Sequence, residues 1–408
     1  MRISKPGANY VCGSGIMNND AWRLFWKRLI TVVAVTALMT SCVFNFVTAP
    51  LILCLMDGGC EELSFTSLRG MYPRTIAGAC FASASALLCK YSTTVPIYKQ
   101  MIEAHDVYSP TTVAERRGRS LFCALYIALC MSVTLPINAL RLLLLYRSQS
   151  DPVVLVFFVF MYLENVAMCL AETCFVTWCR TLSNKFLEIN RDLQQLGEEM
   201  AAANDTAAGK SVTTALIATT VTTATFATAA GRRVIYGSDF YGCSREQSIA
   251  NAVEVIRIRH QLIRNALSVL VDLFGLPVGL SLFTLGVMTL FDIYYQVSDV
   301  MGADSRLLIF IYMWLLQYTI RFSTIVVTAH YTTKEALKSK IFISDVNNRY
   351  LDNNTKEELQ IFLNQLSNCS IEITAYDFIT LNTHLITSAI VAGTTYLVIL
   401  LQFDSNND

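Results

Sequence analysis

Long apolar runs dominate this sequence and restrict what the chain can fold into. Hydrophobic residues make up 54% of its 408 residues and charged residues only 15%, whereas soluble domains carry about 25% charged residues. A helix of roughly 20 apolar residues is long enough to cross the hydrocarbon core of a bilayer. Seven such segments follow one another, so we predict an all-α, polytopic membrane protein with seven transmembrane helices.

The seven predicted spans are joined by short turns and by longer, basic loops. The second span is the weakest, because it is rich in Ser, Ala and Thr. It is included because small and polar residues suit helix contacts inside a membrane bundle. The spans cover residues 29–56, 74–96, 120–146, 153–179, 265–297, 306–331 and 385–403.

Basic residues determine the predicted orientation. Lys27 and Arg28 precede the first span, and Arg116 and Arg117 precede the third, whereas the loop after the first span opens with Asp57. Lys and Arg concentrate in the cytoplasmic loops of membrane proteins. We therefore predict a cytoplasmic N-terminus, and an odd number of spans then places the C-terminus outside.

This orientation divides the chain into alternating cytoplasmic and membrane regions. The low-complexity stretch 201–231 is predicted as a cytoplasmic loop, because Thr and Ala contribute little transfer free energy to a span. The predicted regions are the cytoplasmic N-terminus (1–28), transmembrane helices one to four (29–180), a cytoplasmic extension with the low-complexity loop (181–262), helices five and six (263–331), cytoplasmic anchor helices (332–384) and helix seven (385–404).

Several function classes find little support in the composition and motifs. The 31 basic residues balance the 31 acidic ones, which disfavours nucleic-acid binding. The sequence has no zinc spacing, nucleophile–base pattern or phosphate loop, so we expect no enzyme, metal or cofactor. A G-protein-coupled receptor would have the opposite orientation. A secondary transporter is the alternative from another class, although internal repeats and paired broken helices are not evident.

The last span carries the most specific pattern in the chain. A Thr395-Tyr396 pair is followed by five apolar residues and then by Gln402-Phe403. This pattern resembles the signature of insect gustatory receptors, which are seven-transmembrane chemoreceptor ion channels related to insect odorant receptors. Residues 373–378 are similar to that family's lead-in to its last helix. The resemblance implies a homotetramer whose final helices line one central pore and whose cytoplasmic helices form the subunit contact.

The composition of the seventh span also suits a pore. Helical spacing back from Gln402 places Ile399, Val398 and Thr395 on one face. One helix cannot enclose a pore, and a Gln that faces lipid would be costly. We therefore predict that several copies contribute these residues and Phe403 to a pore, and that apolar side chains close it by dewetting.

Ionisable and aromatic residues in the outer halves of the spans predict a ligand pocket within each subunit. An ionisable residue inside a membrane is expensive and therefore suggests function. The alternative is that Asp292 and Arg141 pair with each other and only hold helices together. The predicted ligand-binding residues are Asp292, Trp314, Gln317, Asn138, Arg141, Glu164, Tyr312, Tyr318 and Tyr295.

Three other charges, Glu172, Asp272 and Arg321, lie toward the cytosol and are expected to pair within the bundle. Together with the resemblance, the chain is predicted to be a tastant-gated nonselective cation channel in the plasma membrane of a chemosensory neuron. An aromatic pocket with a few polar groups suits a small polar compound such as a sugar, with a bitter compound as the alternative. The expected partners are a small-molecule tastant, membrane lipids, permeant cations and other subunits, either identical copies or related receptors.

Overall fold

The computed structural model of the chain describes residues 19–57, 68–110, 113–148, 151–210, 245–298, 305–346, 351–368 and 371–405. These residues are almost entirely helical, which confirms the predicted all-α class. The helices are α1 (Asn19–Asp57), α2 (Leu68–Tyr108), α3 (Val113–Ser148), α4 (Pro152–Lys210), α5 (Arg245–Ser298), α6 (Ser305–Ser344), α7 (Asn353–Asn368) and α8 (His384–Ser405). Two short antiparallel strands, β1 (Thr374–Ala375) and β2 (Ile379–Thr380), form a hairpin before α8.

Seven of these helices correspond, in order, to the seven predicted spans. Within the described ranges, α1, α3, α4, α5 and α8 are long and apolar enough to cross a membrane. Helix α2 has many small polar residues, and α6 carries an arginine in the middle of its apolar stretch. Both pack inside the bundle, where polar side chains find partners.

Helices α4 and α5 are far longer than a bilayer requires. They contain 59 and 54 residues, or about 90 and 80 Å at 1.5 Å per residue, against a hydrocarbon core of about 30 Å. Helix α4 continues to Lys210, so the first part of the predicted low-complexity loop is helical. The rest of that predicted loop lies outside the described residues.

The hydrophobic core of the bundle continues along the C-terminal half of α4 and the N-terminal half of α5. Phe186 and Phe362 are fully buried there, and both rings lie against the imidazole of His260. Helix α7 buries one amphipathic face on this core, and an ion pair of 3.4 Å joins Glu358 to Arg257. The predicted anchor segment therefore packs at one end of the molecule.

One buried ion pair and one exposed ion pair join helices of the bundle. Arg321 donates two hydrogen bonds to Glu172, at 2.8 and 2.6 Å, and Ser281 donates a short one to the same carboxylate. Asp272 pairs with Lys90 at 2.6 Å. The expected pairing of Glu172, Asp272 and Arg321 is thus present. The Glu172–Arg321 contact joins α4 to α6, and Ser281 adds α5. Removing one partner of such a buried pair typically costs about 3–5 kcal/mol of stability.

Candidate ligand pocket and pore helix

A cavity of about 300 Å³ lies among α2 to α6. It lies near the start of α2, α4 and α6 and toward the end of α3 and α5. Its place on α5 is about 45 Å from the contact with α7, counted along the helix. The lining residues are Tyr72, Pro73, Ile76, Asn138, Arg141, Phe157, Phe158, Met161, Tyr162, Asn165, Met288, Asp292, Ile311, Trp314 and Tyr318.

Two charged residues face this cavity without forming an ion pair. The Arg141 guanidinium carbon lies 4.5 Å from the centre of the Trp314 ring, a cation–π arrangement that joins α3 to α6. The Oδ2 atom of Asp292 is buried and forms no hydrogen bond within the described part of the chain. Asp292 therefore brings to the wall of this cavity a carboxyl group whose Oδ2 atom has no hydrogen-bond partner in the described residues.

Two further polar groups on the cavity wall lack partners among the described residues. They are the Asn138 side-chain amide, a donor, and the Tyr162 hydroxyl, which can donate or accept. Both side chains are buried. Leaving such a group unsatisfied costs about 1–3 kcal/mol, so buried groups normally have a partner. A donor, an acceptor and a hydroxyl around one cavity suit a ligand that carries both donors and acceptors.

The floor of the cavity is tied to the buried ion pair. Asn165, which lines the cavity, accepts a hydrogen bond of 2.7 Å from Arg321 through its Oδ1 atom. Arg321 is in turn held by both oxygens of Glu172. This chain of hydrogen bonds fixes the position of the Asn165 amide beneath the ligand space.

The structure brings together five of the nine predicted ligand-binding residues on the cavity wall, namely Asp292, Trp314, Asn138, Arg141 and Tyr318. Gln317 lies outside the lining, where it donates to the Thr134 hydroxyl at 2.7 Å.

The other predicted residues lie elsewhere. Glu164 is fully buried between α1, α2 and α4 and accepts a hydrogen bond of 2.9 Å from Asn45. Tyr312 is 57% exposed and accepts from Gln296. The side chain of Tyr295 lies outside the described residues.

Most of the remaining lining residues are apolar and escaped the sequence analysis. Phe157, Phe158 and Met161 extend from the first turns of α4, and Met288 extends from α5. An apolar residue in an apolar span carries no mark that separates a cavity wall from ordinary packing. The two tyrosines at the start of α2 and in α4, Tyr72 and Tyr162, were the detectable signal, because a phenol in a span usually needs a hydrogen-bond partner.

Helix α8 is apolar yet almost unsupported by the rest of the chain. No residue in its apolar window is buried, and Val398 and Ile399 are 53% and 40% exposed. Thr395 and Gln402 are also exposed, and the side chain of Phe403 lies outside the described residues. Among the described side chains of α8, those of Leu385 and Ile386 in the first turn pack against the core of the bundle.

The comparisons with known proteins agree with this architecture. The sequence profile described as "7tm Chemosensory receptor" matches residues 78–407, so the chain belongs to this family of chemosensory membrane receptors. Comparison with curated proteins finds no match.

Among solved structures, the chain is similar to the insect olfactory receptor OR5 from Machilis hrabei, with a TM-score of 0.56 and 11% identity over 90% of this chain and 88% of that one. The structure of the same receptor in complex with eugenol gives a TM-score of 0.52 and 12% identity over 96% and 93% of the two chains. At identities of 11% and 12%, this similarity shows a shared fold and nothing beyond it.

Proposed function

We propose that this chain is a gustatory receptor that opens a nonselective cation pore when a small polar compound enters the cavity among α2 to α6. It acts by binding and gating rather than by catalysis. The observation that carries the proposal is the convergence of three unpartnered polar atoms, on Asn138, Tyr162 and Asp292, upon one cavity. A ligand that supplied hydrogen bonds to these atoms would remove their desolvation cost and stabilise the bound arrangement of the helices.

The exposure of α8 supports a pore shared between subunits. Helix α8 has no buried residue in its apolar stretch, so copies of it are free to pack on one another with the row of Thr395, Ile399 and Gln402 toward a common axis. The Gln402 amide, which would be costly against lipid, would then face water. We propose a homotetramer, or a heteromer with related receptors, in which Gln402 and Phe403 form the outer gate. Permeant cations would pass along this axis and membrane lipids would cover the outer helices.

The polar atoms on the cavity wall support a sugar or polyol as the ligand. Adjacent hydroxyls can donate to Asp292 and accept from Asn138, while the indole of Trp314 offers a flat apolar surface for the ring. A second ligand class is favoured by the aromatic and aliphatic lining contributed by Phe157, Phe158 and others, which would suit a small phenol. The solved olfactory receptor is itself described in complex with eugenol.

Expression in a cell line, with patch-clamp recording during exposure to matched panels of sugars, polyols and phenols, tests this proposal. Single-channel steps evoked by a sugar or polyol are the expected result. Responses to phenols alone would contradict the sugar assignment, and uptake of a compound without unitary currents would support the transporter alternative.

Topology is tested separately with epitopes at the two ends of the chain. We place this receptor in the plasma membrane of a chemosensory neuron, with its N-terminus in the cytosol. An epitope after Asp408 should be labelled on intact cells, and one before Met1 only after permeabilisation. The reverse pattern would contradict the proposed channel orientation.

A further inference from the structure

Two glycines one helical turn apart on α5 pack against the hairpin that precedes α8, and not against another helix. A Cβ added at Gly275 would lie 3.2 Å from the Tyr376 backbone nitrogen and 3.6 Å from the Thr374 carbonyl oxygen. A Cβ added at Gly279 would lie 3.2 Å from the Cβ of Ala375. A side chain at Gly275 would therefore press on the hairpin backbone, and one at Gly279 would press on the Ala375 methyl group.

The hairpin that these glycines contact leads directly into α8. The Leu381 nitrogen donates to the Ile373 carbonyl at 2.9 Å, which closes the hairpin at its base. The Asn382 side chain then accepts from the Leu385 nitrogen at 3.2 Å and caps the first turn of α8. Few residues separate the strand that packs on α5 from the first turn of α8, so the position of the hairpin determines where α8 begins.

The turn of the hairpin has a fixed and unusual backbone. Tyr376 and Asp377 both have positive φ values, of 53° and 59°, as in the tight turns that suit two-residue hairpins. Neither residue is glycine, and the left-handed conformation costs roughly 1–2 kcal/mol for each ordinary residue. The Thr374 hydroxyl donates to the Asp377 carboxylate at 2.9 Å and supports this turn.

Helix α5 also reaches the ligand cavity. Met288 and Asp292 line the cavity from the same helix that carries the two glycines. The interval from Gly279 to Asp292 corresponds to about 20 Å of continuous helix. The same helix, which carries Pro277 between the two glycines, therefore lines the candidate ligand cavity at one point and contacts the hairpin before the candidate pore helix at another.

We propose that Gly275 and Gly279 are positioning residues for gating: they seat the hairpin directly on α5, so that a displacement of α5 in the ligand cavity moves the start of α8. This inference rests on the proposed channel function. Close seating matters because a contact made by backbone atoms and one methyl group transmits a shift of less than an ångström, whereas a longer side chain at the contact would absorb it by changing rotamer.

The test uses small substitutions with a matched control on the same helix. Gly275→Ala and Gly279→Ala each place a methyl group against the hairpin. Gly286→Ala, farther along α5, places the same methyl group where nothing lies within 4 Å among the described residues. Whole-cell recording would give the half-maximal ligand concentration and the ligand-free current, and surface labelling would give the amount of each variant at the membrane.

We expect Gly275→Ala and Gly279→Ala to shift the half-maximal ligand concentration by roughly fivefold or more, which is the usual scale of coupling between two sites. We also expect both variants to change the ligand-free current when they are compared at equal surface level. The Gly286→Ala control should match the unmodified chain. The double variant Gly279→Ala with Ala375→Gly should restore the response, because it removes the methyl group that Gly279→Ala meets. The proposed role would be overturned if Gly275→Ala or Gly279→Ala behaved as Gly286→Ala does. It would also be overturned if the double variant did not reverse the shift in half-maximal concentration caused by Gly279→Ala.

A second measurement tests the contact without any current. Cysteines at Gly279 and Ala375 should cross-link under mild oxidation with copper phenanthroline in membranes. A protease site inserted between residues 299 and 304 would show it, because the two fragments would stay joined only when the bond has formed. The single-cysteine variants give the baseline. Absence of the cross-link above that baseline would contradict the contact between Gly279 and Ala375. If the cross-link forms but the chain without added cysteines conducts no current, the contact is real and the proposed channel is wrong. The gating role of Gly275 and Gly279 would then be wrong as well.

Discussion

The guanidinium group of Arg141 stacks on the indole of Trp314 at 4.5 Å and closes one side of the candidate ligand cavity. The contact joins α3 to α6. It leaves the Asp292 carboxylate on α5 without a cationic partner in direct contact among the described residues. The cation is thus held by an aromatic face, and the anion remains available to a ligand.

Substitution of Trp314 should separate the stacking surface from simple bulk. Trp314→Ala removes both the platform and the Arg141 contact, whereas Trp314→Phe keeps an aromatic face with a weaker attraction for a cation. Cation–π pairs contribute about 0.5–2 kcal/mol, so Trp314→Ala should raise the half-maximal ligand concentration roughly 2- to 30-fold, and Trp314→Phe should raise it less. Equal shifts in the two variants, measured by calcium imaging at matched surface level, would contradict a role for the ring face.

The Asp292 carboxylate gives a prediction with a carboxylate elsewhere in the bundle as its control. A hydrogen bond to a charged group contributes about 1.5–3 kcal/mol, so Asp292→Asn should raise the half-maximal concentration roughly 10- to 100-fold. Glu164 is buried against Asn45 away from the cavity, and the second oxygen of Glu164 and the Asn45 oxygen have no partner in the described residues. Glu164→Gln offers an amide donor there and should leave the dose–response curve in place.

These two carboxylates also show how far the sequence could predict the site. Asp292 and Glu164 look alike from hydropathy, because each is one acidic residue in an apolar span. Which of them faces a cavity depends on how five helices pack, and that packing is set by side chains distant in the chain. The order and number of the long helices required only the lengths of apolar runs, which are local.

The contact between α5 and the hairpin could not be predicted from the sequence either, because it also joins segments that lie far apart in the chain. The spacing of Gly275 and Gly279 predicts close approach by a neighbour, and residues 373–378 are distinctive by resemblance alone. Nothing in either segment indicates that one packs on the other, since about a hundred residues lie between them. The bounds of α4 were similarly hard to predict, because its last ten residues are five Ala and single Asn, Asp, Thr, Gly and Lys residues.

A buried histidine near the end of α2 should make stability depend on pH. The His105 ring is fully buried at the end of α2, and burial lowers its pKa despite the nearby Asp106. Lys185, Arg259 and Glu188 are the other charged groups that act on it. Burial alone would raise the pKa of Asp106, but His105 and Lys185 lower it to about 2, so this carboxylate stays ionised throughout the physiological range.

The sign of the effect follows from the lowered pKa of His105. The folded chain keeps His105 neutral, whereas the unfolded chain takes up a proton below its ordinary pKa of about 6.5. Stability is therefore fully present above about pH 6.5 and is lost as the pH falls below that value. Thermal unfolding of the purified protein at pH 7.5 and 5.5 should show a lower midpoint at pH 5.5, and His105→Gln should reduce the difference. An unchanged difference in that variant would assign the pH dependence to other groups.

The pore prediction depends on the exposed row on α8. Gln402 is the one amide in the apolar part of this helix and lies near its end, three and seven residues beyond Ile399 and Thr395. In a ring of subunits, four such amides would form a polar constriction that partly replaces the water around a passing cation. Gln402→Ala should therefore change the ratio of sodium to calcium permeability or the current without ligand, while surface expression stays the same. Thr387→Ala, in the first turn of α8, serves as the control, because its hydroxyl is occupied by the His384 carbonyl at 2.8 Å. Reversal potentials measured under bi-ionic conditions would test this prediction. If Gln402→Ala and the unmodified chain had identical reversal potentials and identical ligand-free current, Gln402 would not lie in the conduction path. Helix α8 would then be a helix that only joins subunits.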